Sequence, residues 1–384
     1  MTLIRRSIQV AWPIQVFFTD HVFSADNPLL RNLLLDTTSR KVLVVLEDSL
    51  AQAQPLLEHH IAQYFSPANE SLRLVRLPLF LAGGERTKNS PTIIHDIHAH
   101  IHRHHVDRHS YVIAVGGGAL LDMVGFAAAT AHGGLRLVRI PSTTLSQADS
   151  GVGVKTGLNA FGQKNFLSTY APPFAVINDF TLIDSLPSRD KRSGYVEAVK
   201  IACLRSPEFF EELEASAGAL AAFEPPAMRH LIRRCAELHL DHLAYTDDPF
   251  ESSSSAPLEF GHWAAFKLEE LSSFQLVHGE AVAIGIALDV VYSQQTGLLP
   301  APVADRILNL LERLGFPLFA DELMNTNACG QLTVLSGLDG LREQYGAELT
   351  VPLLRALGTA VDVKHLDAAQ VEAAIHTLHA RSHR

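Results

Sequence analysis

Cysteine is scarce in this chain. There are three in 384 residues, Cys203, Cys235 and Cys329. Their odd number and wide spacing exclude a disulfide framework and the close pairs of a structural zinc site, so a reducing, cytoplasmic setting is expected. Basic residues are outnumbered, 31 Lys and Arg against 41 Asp and Glu, for a formal net charge of -10. Broad electrostatic attachment to nucleic acid is therefore not expected, although a local basic pocket remains open. No stretch approaches the roughly 20 uninterrupted apolar residues of a membrane helix, and residues 1–7 form no apolar leader. There is no internal repeat, no Gly-x-Gly-x-x-Gly fingerprint, and only one short low-complexity stretch, the serines at 252–255.

What is present is the composition of a compact soluble enzyme, 47% hydrophobic and 19% charged, long enough for two domains. Residues 42–46 form a continuous β-branched apolar run, as in a parallel strand buried on both faces. Strands are also expected at 72–77, 111–115 and 135–140, alternating with helices at 50–64, 90–105 and 119–131. That alternation predicts a doubly wound, mostly parallel α/β domain over residues 1–187. From residue 188 the period becomes helical, over 192–204, 208–222, 228–244, 261–271, 280–296 and 303–314. An all-α second domain over 188–384 follows.

Three potential metal ligands stand far apart, each in a tight local context. They are Glu197 in Gly194-Tyr195-Val196-Glu197, His262 after Gly261, and His278 before Gly279. Two imidazoles and one carboxylate leave an open position on zinc, as in a catalytic site. The bland alternative is a pair of packed histidines, which a rarely buried glutamate argues against. The run His95, His98, His100, His102, His104, His105 also invites a metal reading. Ile94, Ile97 and Ile101 take the buried stripe of that helix, however, which leaves its histidines on the outer faces.

Gly116, Gly117 and Gly118 follow a strand and open a helix, with Asp122 one turn on. Backbone N–H groups there suit a pyrophosphate, the alternative being a tight structural turn. Glu47, at the end of the 42–46 strand, suits ribose hydroxyls, with Asp48 beside it. Gly83-Gly84-Glu85-Arg86-Thr87-Lys88 is a second glycine turn whose Glu85 and Lys88 could reach the same cofactor; a solvated helix start is equally compatible. The segment from Pro141 to Asn165 is polar and glycine-rich. It gathers Thr143, Asp149, Lys155, Lys164 and Asn165, and long polar loops in compact domains usually carry function.

As a set, these motifs resemble the dehydroquinate-synthase superfamily of sugar phosphate cyclases, over about residues 42–358. The stretches Asp107-Arg108-His109-Ser110 and Tyr170-Ala171-Pro172-Pro173 are most similar to the dehydroquinate-synthase-like proteins of "ebo" clusters. The resemblance implies a homodimer that uses NAD and zinc or cobalt. A ring hydroxyl is oxidised at the expense of NAD⁺, phosphate leaves by β-elimination, and the ketone is reduced again by the same cofactor. Ring opening and an intramolecular aldol step then close a carbocycle. By resemblance, Asp149 and Lys200 hold the sugar. Lys155, Lys164 and Asn165 hold phosphate. Glu47, Glu85, Lys88, the three glycines, Asp122, Ser142, Thr143 and Leu145 serve the cofactor.

The departures concern the substrate. A dehydroquinate synthase binds a carboxylate with a lysine and an arginine shortly before Gly-His. This chain has no Lys or Arg between Arg234 and Lys267, and the aligned positions are Asp241 and Ser255. A buried carboxylate without a cation is costly. Glu259 replaces the family asparagine, as an acid does in valiolone-type cyclases. Phe266 replaces a proton-handling histidine, which implies another base or the substrate phosphate itself. Gly133, beside His132 and three residues before Arg136, replaces a phosphate-binding arginine, and Arg342 is the candidate for a C-terminal phosphate lysine. The expected activity is cyclisation of a carboxylate-free ketoheptose phosphate, foremost sedoheptulose 7-phosphate. The rivals are 3-dehydroquinate synthase, a metal-dependent polyol or alcohol dehydrogenase, and a non-catalytic relative.

Overall fold

A computed structural model describes residues 3–8, 10–35, 40–66, 72–246, 257–345 and 350–383. Ser255 lies outside them. The chain forms two compact units, one of Met1–Ser142 with Val154–Leu182 and one of Thr143–Gly153 with Ile183–Arg384.

The first unit is built on seven parallel strands. In chain order they are β1 (Val16–Thr19), β2 (Arg40–Glu47), β3 (Leu72–Leu74), β4 (Leu79–Leu81), β5 (Tyr111–Gly116) and β6 (Arg136–Pro141). After the hairpin of β7 (Lys155–Ala160) and β8 (Gln163–Tyr170) comes β9 (Ala175–Asp179). The sheet order is β1-β9-β6-β5-β2-β3, with β4 also on β2. The apolar runs occupy the centre because both faces are covered. Val42, Val44 and Leu46 of β2 pack with Leu57 and Ile61 on one side, while Leu43 and Val45 pack with Ile94, Ile97 and Ile101 on the other. Alternate strand residues point to opposite faces, so a strand wrapped on both sides must be apolar throughout.

Several expected elements change in detail. The 50–64 helix is two helices, Asp48–Ala53 and Leu57–Tyr64, separated around Pro55, which has no N–H for the ladder. The 72–77 strand ends at Leu74. The expected loop at 141–165 is a π-helical turn, Ser146–Ser150, followed by most of the β7–β8 hairpin.

The second unit is helical, as expected, with one addition. Val351–Ala356 (β10) and Thr359–Val363 (β11) form an antiparallel hairpin. The helix Tyr195–Arg205 is buried from Tyr195 to Leu204, and His278–Gln295 is buried over most of its length. Ser206 caps the Pro207–Ala221 helix by accepting the N–H of Phe209. No helix among the described residues is long and apolar enough to cross a membrane.

Candidate active site

In the second unit, Glu197 lies in the first turn of the Tyr195–Arg205 helix. His262 and His278 each open a helix, His262–Leu271 and His278–Gln295. One ligand atom from each of the three lies within 4.8 Å of the others. Glycines permit this approach. Gly261 has φ +79°, and a Cβ on Gly285 would sit 1.9 Å from the Gly261 carbonyl oxygen, so the two helices meet where neither tolerates a side chain. A Cβ on Gly279 would meet the Ser193 carbonyl oxygen at 2.3 Å, which seats His278 against the approach to Glu197.

Each imidazole is oriented from behind. His278 Nδ1 is 2.6 Å from Glu269 Oε1, and His262 Nδ1 is 3.1 Å from the Phe260 carbonyl oxygen. An acceptor at Nδ1 fixes the proton there and leaves a lone pair on Nε2, as metal-binding histidines require. Burial lowers the proton affinity of His262, and Lys200 adds to the effect, favouring the neutral ring. Glu197 Oε1 is buried and has no hydrogen-bond partner among the described residues. Such an orphaned oxygen costs on the order of 1–3 kcal/mol or more unless it finds a ligand. This donor set fits a divalent metal.

Lys200 Nζ lies 2.5 Å from Glu197 Oε2. Burial alone would lower the lysine, but the Glu197 and Asp149 carboxylates outweigh it and raise its proton affinity. Burial would raise Asp149, but Lys200 and His239 outweigh it and hold the carboxyl well below the usual range. His239 Nδ1 is 2.5 Å from Asp149 Oδ1. Glu259, in the short turn before Phe260, adds negative charge that acts on both Lys200 and His262.

The motifs do not single out His239. Its helix, Pro225–Tyr245, buries His239 and His242 but exposes Asp241. The alignment that places Asp241 at the carboxylate-binding position is corrected accordingly, because residues 239 and 242 share a helical face and 241 does not. The one signal in the sequence is that i, i+3 histidine pair on a helix with apolar neighbours. Arg205 Nη2 lies 2.8 Å from His242 Nδ1. Phe266 packs its ring against His262 and His278, with centroids 5.3 and 6.3 Å away. It shields the cluster and moves no proton. Arg342 pairs with Asp339 at 2.7 Å.

The first unit holds a second polar cluster. Lys88 is 1% exposed, with Nζ 2.8 Å from Asp122 Oδ2 and 3.6 Å from Glu85 Oε1. It also donates to Asn165 Oδ1. Asn159 links Glu85 to the Asn165 N–H. Four residues expected from three separate motifs thus meet in one network. Glu47 reaches the glycine loop, where its Oε2 accepts the Gly117 N–H at 2.7 Å and its Oε1 accepts Ser49 Oγ at 2.6 Å. A Cβ on Gly116 would meet Glu47 Oε2 at 2.8 Å. The Ser142 N–H donates to the Gly116 carbonyl at 2.9 Å. Lys155 and Lys164 are half-buried on the two strands of the β7–β8 hairpin. Arg136 is engaged with Tyr111, donating to its hydroxyl at 3.0 Å. In the second unit, Thr143 Oγ1 is 2.7 Å from Ser146 Oγ, closing the turn before Asp149. A Cβ on Gly194 would lie 2.4 Å from the Leu145 backbone nitrogen, so this glycine carries the Glu197 helix against that turn.

Comparison with known proteins agrees with this arrangement. Residues 78–193 match the family model "3-dehydroquinate synthase N-terminal" and residues 194–340 match "3-dehydroquinate synthase C-terminal". A 2-epi-5-epi-valiolone synthase of Streptomyces glaucescens is 30% identical over 360 residues, 93% of this chain and 88% of that protein. A 3-dehydroquinate synthase of Nitrosococcus oceani is 32% identical over 359 residues, 89% of this chain and 97% of that protein. Among solved structures, the 2-epi-5-epi-valiolone synthase of Streptomyces hygroscopicus subsp. jinggangensis 5008, with NAD⁺ and Zn²⁺ bound, superposes with a TM-score of 0.86. The identity is 27%, over 98% of this chain and 100% of that one. With the two family models matched over residues 78–340, more than half of its length, this chain belongs to the 3-dehydroquinate synthase family.

Proposed function

We propose that this protein is an NAD⁺- and metal-dependent sugar phosphate cyclase acting on a ketoheptose phosphate that lacks a carboxylate, foremost sedoheptulose 7-phosphate. The observation that carries the reading is the convergence of Glu197, His262 and His278 within 4.8 Å, with the Lys200 ammonium against the same carboxylate. In this reading those three residues hold zinc or cobalt. Glu47, Glu85, Lys88, Gly116, Gly117, Gly118, Asp122, Ser142, Thr143 and Leu145 serve NAD⁺. When bound, the cofactor would supply reversible hydride transfer and the metal a Lewis acid for the substrate oxygens.

The chain's own residues then divide the remaining work. Asp149, kept ionised, accepts a sugar hydroxyl, and His239 fixes its orientation. Lys200, kept cationic, places positive charge where an oxyanion develops. Lys155, Lys164 and Asn165 hold the phosphate, lysine serving as a point charge and asparagine as a donor. Phe266 cannot take a proton, so the phosphate that leaves is the base this reading assigns to the adjacent C–H. Glu259 and Asp149 make the second unit's cluster unwelcoming to a substrate carboxylate.

3-Dehydroquinate synthase activity is the second reading, favoured by the 32% identity to the Nitrosococcus oceani enzyme. The test is mass spectrometry of the product from metal-loaded protein, NAD⁺ and sedoheptulose 7-phosphate, with absorbance followed at the wavelength of NADH. A carbocycle without net NADH supports the proposal. Stoichiometric NADH would mark a dehydrogenase instead.

A further inference from the structure

Asp289 sits inside the apolar stretch of the His278–Gln295 helix and is 1% exposed. A carboxylate there is expensive to bury, and burial pushes it up to about 7 even though two hydrogen bonds oppose the shift. Both of its oxygens are engaged. Oδ2 accepts the Gly261 backbone N–H at 2.9 Å, and Oδ1 accepts the Trp263 indole N–H at 2.8 Å. Those donors belong to the residues immediately before and after His262. The acid also lies at the start of the His262–Leu271 helix, where the unpaired N–H groups favour an anion.

The surroundings leave His262 little freedom. Gly261 is held left-handed with φ +79°, and the nearest approach of Gly285 leaves no space for a side chain at either glycine. The imidazole faces the Phe260 carbonyl oxygen through Nδ1. The chain is therefore gripped on both sides of one proposed ligand by a group that is not itself a ligand. A hydrophobic residue at 289 would pack this helix at no electrostatic cost.

We infer that Asp289 and Trp263 are positioning residues for the metal ligand His262, which they hold at the angle that directs Nε2 toward Glu197 and His278. The inference rests on the metal reading given above. Outer partners of metal ligands typically contribute 10–100-fold in affinity.

The test is zinc affinity, measured on metal-free protein by competition with a chromogenic chelator, together with the visible spectrum of the Co²⁺-loaded protein and the thermal midpoint. Asp289→Asn replaces one acceptor by a donor. It is expected to raise the zinc Kd roughly 10–100-fold and to alter the Co²⁺ bands. Trp263→Phe keeps a ring and removes one donor, so a smaller rise in the same direction is expected. A folded Asp289→Asn protein with a lower thermal midpoint but unchanged zinc Kd and Co²⁺ spectrum would reduce Asp289 to a structural role and overturn the inference. Should that variant not fold, an unchanged Kd and spectrum in Trp263→Phe overturns it equally. A wild-type protein that binds neither metal refutes the metal reading itself, and the inference falls with it.

Discussion

Replacing Lys200 by methionine tests the electrostatics of the second unit most sharply. The lysine side chain is 5% exposed and that of its partner Glu197 is 2% exposed, so neither charge is compensated by water. Removing the ammonium leaves the buried Glu197 and the half-buried Asp149 without the cation they share. Breaking a buried pair by deleting one member costs about 3–5 kcal/mol. For a chain of this size that corresponds to a fall in thermal midpoint on the order of 10 °C. The metal-free variant is therefore expected to melt well below wild type. Added zinc should then stabilise it more than it stabilises wild type, because the metal replaces the lost positive charge.

The pH dependence has a defined sign at each end. Folding raises the proton affinity of Lys200, so its stabilisation is complete below the unfolded value of about 10.4 and is lost as pH climbs past the folded value. Folding lowers that of Asp149, so its stabilisation is present above about 3.9 and is lost as pH falls. Lys200→Met should flatten stability at both extremes. The assay is thermal denaturation with and without zinc between acid and alkaline pH. A variant with wild-type metal-free stability and no larger zinc response would refute the reasoning.

His262→Ala should abolish zinc binding and turnover together; a variant that keeps stoichiometric zinc in metal analysis sinks the ligand assignment. Asp122→Ala removes a carboxylate 2.8 Å from Lys88 Nζ, and a rise in NAD⁺ Kd of about tenfold, worth about 1.4 kcal/mol, is expected by calorimetry. Unchanged affinity would take Asp122 out of the cofactor site. His239→Ala should raise KM for the sugar phosphate several-fold and leave zinc affinity unchanged. His239→Asn, which keeps a donor near Asp149, should recover most of the loss; no difference between the two variants would show that the hydrogen bond is irrelevant.

The cluster of Glu197, His262 and His278 is legible in the sequence because each residue sits beside a glycine or at the start of a helix, where the chemistry and the turn coincide. The parallel sheet is legible because runs such as Val42 to Leu46 are apolar throughout, which only burial on both faces explains. The β7–β8 hairpin is not. Gln163–Tyr170 has a largely exposed outer strand without a regular apolar alternation, so it reads as a loop. His239 escapes because two histidines one turn apart on a helix are a weak signal by themselves; its meaning comes from Asp149, 90 positions away. Asp289 leaves a faint trace as an acid inside an apolar helix, but the Trp263 and Gly261 donors that explain it belong to another helix. Likewise, the exposure of Asp241 follows from the rotation of its helix, which an alignment of single positions does not carry.

The proposed activity is that of a cyclase whose substrate carries no carboxylate. Its most direct test is phosphate release from zinc- or cobalt-loaded protein with NAD⁺, given sedoheptulose 7-phosphate and the carboxylate-bearing heptulosonate phosphate of 3-dehydroquinate synthases side by side. Release from sedoheptulose 7-phosphate alone is the predicted result. Release from the carboxylate-bearing sugar alone would contradict the account.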